Sequence, residues 1–114
     1  MKKPVQAEHT GGKVNYYLAK VNHPQREEQQ PYQAECEDII EALGMTFDEG
    51  CAFKAIWRTA SLRTNGIGKV GQDAVYDAQK VQHYGRRMER KAQIEANMVD
   101  LSKRVAQSKA DLPG

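Results

Sequence analysis

The sequence predicts a mainly α protein, a three-helix core with a long C-terminal helix extension. Three observations carry that prediction. Apolar residues recur at three- and four-residue steps in three separate stretches, the mark of helices with one buried face. Gly44 and the cluster Gly66, Gly68 and Gly71 punctuate those stretches. After Arg87 the helical pattern runs on until Leu112-Pro113-Gly114 ends it. A chain of 114 residues suits one domain with one modest core. Its polar balance, 39% hydrophobic with a mean hydropathy of −0.77, implies that part of it lies in solvent.

Residues 1–20 read as a flexible N-terminal arm. The first fifteen are polar, include Gly11-Gly12 and have no periodicity. Tyr16-Tyr17-Leu18-Ala19-Lys20-Val21 fits a short strand and a turn of helix equally well. His23-Pro24 to Pro31 is a polar loop, because each proline restricts the residue before it. A helical domain is expected over 21–92. Its first helix carries Cys36, Ile39, Ile40 and Leu43 on one face and closes at Gly44 as a C′ residue. The second starts at Thr46, whose spacing to Glu49 is that of a capping box, and Asp48 and Glu49 suit the positive end of the dipole. Phe53, Ile56, Trp57 and Ala60 are its expected buried stripe, and Phe47, Cys51, Lys54 and Arg58 form a second face beside it. Lys54 and Arg58 either lay their stems on the core with solvated heads, or converge on an anion.

Gly66, Gly68 and Gly71 match the dinucleotide pattern G-x-G-x-x-G by letter, but a helix precedes them and position 91 is a lysine. No Gly-Lys-Ser/Thr closes a Walker A loop. The loop is a turn, or a place where backbone N–H groups and Lys69 meet an anion at the next helix. Asp73 is the expected N-cap of the third helix. Ala74, Ala78, Val81, Gly85, Met88 and Ala92 form a small-residue face for a neighbouring helix. Opposite it, Tyr76, Lys80, His83, Tyr84 and Arg87 fall within an arc of about 100°, with Asp77 at its edge. Residues 93–114 are a C-terminal helix. Ile94, Met98, Leu101 and Val105 step by 4, 3 and 4 along it, a seam that either self-associates or folds back over the core.

The run Ala34-Glu35-Cys36-Glu37-Asp38-Ile39-Ile40-Glu41-Ala42-Leu43-Gly44, followed by Phe47, Gly50, Ala52, Phe53, Lys54, Ile56, Trp57 and Arg58, resembles the SaV-like family of small bacteriophage domains, often labelled nucleotide kinase. The segment Asp77-Ala78-Gln79-Lys80-Val81-Gln82-His83-Tyr84-Gly85-Arg86-Arg87 is similar to that family's second motif, and Val21-Asn22-His23-Pro24 to its opening. This chain has Cys51, Gln79, His83 and Gly85 where the family pattern has asparagine, lysine, tryptophan and leucine. The resemblance carries over Lys54, Arg58, Asp77, Lys80, Tyr84 and Arg87 as family positions, and implies a phage accessory protein in the host cytoplasm.

Cys36 and Cys51 are too few for a disulfide framework and read as small buried hydrophobes; with His9, His23 and His83 they form no metal-ligand spacing. No apolar run reaches the roughly 18 residues of a membrane span, so no membrane partner is expected and the location reads as cytoplasmic. Net charge is +2 but unevenly placed: residues 34–49 hold six acids and no Lys or Arg, whereas 54–91 hold nine cations against three acids. The first functional reading is therefore binding or sequestration of a nucleotide or other phosphate-bearing small molecule. Lys54, Arg58, Lys69, Asp77, Lys80, His83, Tyr84 and Arg87 would form the site, with phosphates on the cations and a base stacked on Tyr84 or His83. No cofactor is certain; magnesium enters if phosphoryl transfer occurs, and enzymatic activity is left open. The alternative is a protein-interaction module that inhibits or redirects a host factor, homo-oligomeric through its C-terminal helix.

Overall fold

The computed structural model describes residues 5–6, 15–68, 71 and 73–111. The order of elements is β1 (Val5–Gln6), a 3-10 turn (Asn15–Tyr17), β2 (Leu18–Val21), β3 (Tyr32–Glu35), α1 (Cys36–Ala42), α2 (Phe47–Asn65), β4 (Ile67–Gly68) and α3 (Ala74–Ala110). The protein is mainly α, with three helices and two minimal sheets among the described residues. β2 and β3 form an antiparallel hairpin with Leu18 opposite Glu35, and β1 runs parallel to β4. Tyr16-Tyr17 and Leu18–Val21 thus divide between a turn of helix and a strand.

Local chemistry sets the helix ends. At Thr46 both arms of the capping box are present: the Glu49 N–H donates to the Thr46 hydroxyl, and the Thr46 N–H donates to Glu49 Oε1 at 2.8 Å. Gly66, at φ 68°, ends α2 in the left-handed region that favours glycine, and its N–H bonds the carbonyl of Leu62. Asp73 caps α3 by accepting from the Val75 N–H at 2.8 Å. α3 is 37 residues, roughly 55 Å long. The molecule measures 75 × 38 × 26 Å and its radius of gyration is 21.0 Å. A compact chain of this length has a radius of about 13 Å, so α3 projects far beyond the body.

The core is small. Tyr16, Tyr17, Cys36 and Ala55 are its buried hydrophobic residues among those described, with Ile40, Phe53, Trp57 and Ile67 packed against it. Trp57 Nε1 donates to the Tyr16 carbonyl at 2.9 Å, tying α2 to a segment that the sequence places in an arm. Burial pushes the Cys36 thiol up to about 11, so it stays protonated as a small hydrophobe.

One expected core stripe faces inward only in part, and another lies largely open. On α2, Phe53 and Trp57 reach the core, but Ile56 is 52% exposed. On α3, Ala74, Ala78 and Gly85 are exposed, and a Cβ added at Gly85 would meet nothing within 4 Å. The residue of α3 that is buried is Asp77. On α2 the buried residues include Asp48 and Arg58. The helices meet along charged faces, because a buried charge must find its counter-charge before apolar area can decide the orientation. The seam does not fold back either: every residue from 85 to 111 is exposed.

Asp48 anchors the start of α2. Its side chain is 1% exposed, and it accepts from Arg87 Nε and Lys91 Nζ, each at 2.6 Å. The bonds from Lys91 and Arg87 hold its pKa below the ordinary aspartate value. A depressed carboxylate stabilises the fold above its unfolded pKa, near 3.9, and loses that contribution as pH falls through the lower folded value. Stability of the native chain should therefore fall steeply below about pH 4, and Asp48→Asn should flatten that slope while lowering stability at pH 7. Chemical denaturation at pH 7, 4 and 3 measures both.

Candidate functional site

Seven of the eight candidate residues are distributed over three environments, and the eighth, Lys69, lies outside the described residues. The first is buried. Arg58, 8% exposed, donates from one terminal nitrogen to the Tyr17 hydroxyl at 3.0 Å and from the other to Asp77 Oδ1 at 3.1 Å. Burial opposes its charge, but the bonds to Tyr17 and Asp77 outweigh this and raise its pKa above the ordinary arginine value. Lys54 sits beside this pair with its ammonium 5.2 Å from the centre of the Tyr17 ring. Arg58 and Asp77 thus hold the turn before β2, α2 and α3 together. Both groups that were to meet a ligand are committed to each other.

The second environment is the pairing of Arg87 with Asp48. The Arg87 side chain is 48% exposed, yet its Nε is taken by Asp48, and that bond comes first among the causes that raise its pKa. The third is open. Tyr76, Gln79, Lys80, His83 and Tyr84 line a shallow hollow of about 290 Å³ along α3. Lys80 Nζ lies 4.9 Å from the centre of the Tyr76 ring. His83 and Tyr84 meet edge to face at 4.9 Å, and Tyr84 meets Phe47 in the same way at 5.9 Å. The Cys51 side chain beside it raises the Tyr84 pKa above the ordinary tyrosine value. Lys80, His83 and Tyr84 are therefore brought together, whereas Arg58 and Asp77 are withdrawn into the interior.

Tyr17, Asp48 and Lys91 complete these clusters and were not among the candidates. By sequence Asp48 suits the helix dipole, but Arg87 and Lys91 stand four apart on the next helix, a spacing that puts two cations on one face. Tyr17 left no such signal, since its contact to Arg58 spans 41 residues.

A different surface is conspicuous for its apolar character. Ile56 borders three separate hollows of about 330, 340 and 330 Å³: one with Trp57 and Ala60, one with Ala78 and Val81, one with Leu43 and Met88. The stripes expected to form the core thus share one open side. Leu43 (70%) and Phe47 (71%) are more exposed still. Among the described residues no three of His, Cys, Asp and Glu gather into a metal site, and no helix is long and apolar enough to cross a membrane.

No protein-family model, curated protein or solved structure matches this chain. The resemblance to the SaV-like phage domains rests on the motif residues alone.

Arg58→Ala should leave Asp77 buried against an empty space and destabilise the fold by about 3–5 kcal/mol, the cost of breaking a buried pair. Urea denaturation measures it. Replacing both partners, as Arg58→Met with Asp77→Leu, should recover much of the loss, since the unpaired charge is then gone.

Proposed function

We propose that this chain is a protein-interaction module, a small accessory protein of the phage type its motifs resemble, which works by assembling with other chains. The observation that supports this reading most strongly is the second half of α3. Past Lys91 the helix runs for roughly 28 Å, exposed throughout, with no other element beside it among the described residues. Along that length Ile94, Met98, Leu101 and Val105 are 48, 63, 61 and 46% exposed. A helix of this length would fray in water unless a partner buried its apolar stripe. The small core points the same way, because apolar residues left open by the body are those an assembly would cover.

Self-association through residues 93–114 is the first step of this function, and engagement of a host protein through the open apolar side around Ile56 is the second. Static light scattering of the full chain should report a mass above the monomer that falls on dilution. Truncation after Ala92, which keeps the Lys91–Asp48 bond, should give a folded monomer. An unchanged mass in the truncated chain would remove the helix from the interface.

A second reading keeps the anion site in reduced form. The open hollow of Tyr76, Lys80, His83 and Tyr84 offers one cation and three rings, a fit for a nucleotide whose phosphate meets Lys80 and whose base stacks on an aromatic face. Magnesium would serve only if phosphoryl transfer occurred, and Asp77, the acid among the candidate residues, is bound to Arg58. Calorimetric titration with mono-, di- and cyclic nucleotides should give saturable heat that Lys80→Ala abolishes. Absence of heat for every nucleotide ends this reading and leaves the interaction module untouched.

A further inference from the structure

The face that α3 turns to α2 and the bare stripe beyond it are one continuous line. Asp77, Lys80, Tyr84, Arg87, Lys91, Ile94, Met98, Leu101 and Val105 follow at alternating steps of three and four, the a and d positions of a single heptad register. Up to Lys91 the line is polar or charged, and α2 meets it through Arg58 and Asp48. Beyond Lys91 it is apolar and uncovered. The register therefore calls for a second helix beginning where α2 stops.

We infer that this helix is the same stretch of a second copy, running antiparallel, with Ile94 facing Val105 and Met98 facing Leu101 across a two-fold axis. The inference rests on the self-association proposed above and adds its orientation and register. Sterics favour it. α2 occupies the register face on the N-terminal side of Lys91, so a parallel partner, carrying its own body at the same level, would have to diverge there. An antiparallel partner needs only the bare half.

Charge favours it as well. In a parallel pair Lys91 would face Lys91, and Arg104 at a g position would face Lys109 at the e position of the other copy, against one favourable pair, Arg90 with Glu95. In the antiparallel pair Lys91 faces Ser108. The C-terminal turn of the second copy, with its unpaired carbonyls and Asp111, then comes up to Arg90 and the N-terminal end of α2. The negative end of one helix thus approaches the positive end of another. Slipping by one heptad would set Lys91 against Leu101 and leave Val105 unpaired, so the charged residue at the start of the stripe fixes four apolar layers.

Full-length Ile94→Cys and Val105→Cys chains, each with helix content checked by circular dichroism, test this under mild air oxidation against the native chain as control. The antiparallel pair is supported if disulfide-linked dimers form only when the two variants are mixed, with the mass of the mixed species. Ile94→Cys linking to itself overturns it in favour of a parallel pair, because antiparallel copies hold those positions roughly 16 Å apart along the axis. No link in any sample, with the native chain dimeric by light scattering, overturns the register. A native chain that is monomeric at every concentration withdraws the self-association itself.

Discussion

Two buried acids govern how this molecule is put together. Asp48 enters the interior at the first turn of α2 and Asp77 at the first turn of α3, and each must meet a cation from the other helix. With Arg58 ten residues after Asp48, and Arg87 ten after Asp77, the two helices can satisfy both acids only when they run antiparallel and in one register. An uncompensated carboxylate in that position costs several kcal/mol, roughly what burying one or two large apolar side chains contributes. Orientation is thus decided by charge, and the apolar faces take what is left.

What is left is an unusually open body. Ile56, Ala74, Ala78 and Met88 stay on an accessible side because the opposite faces of their helices were needed for pairing. The core falls instead to Tyr16, Tyr17, Cys36 and the rings of Phe53 and Trp57. Such a chain has little apolar area in reserve, and a long helix with a bare stripe adds to the uncovered surface. The proposed assembly with another chain would cover that surface.

The same pairing explains the fate of the basic residues. Nine cations between residues 54 and 91 look, in a list, like a field aimed at an anion. In the fold Arg58, Arg87 and Lys91 are occupied by internal acids, and Lys54 lies over a ring. Lys80 lies over the Tyr76 ring at the open hollow, and Arg63, Arg86 and Arg90 are exposed elsewhere on the two helices, so the cations are spread rather than gathered.

Features that depend on a few neighbouring residues were legible in the sequence. The Thr46–Glu49 box, the Asp73 cap, the glycines that end the first two helices, and the unbroken run of α3 all follow from backbone groups seeking partners within a turn. Periodicity located the helices and the seam for the same reason. It could not say which of two faces would be buried, because Asp48 and Asp77 find their partners 39, 43 and 19 residues away. Helical spacing ranks faces by apolarity, whereas the fold ranked them by the cost of leaving a charge unpaired. The sequence by itself determined the helices and their ends. Only the tertiary structure decided that the charged faces would meet, since that choice depends on contacts absent until the chain has closed.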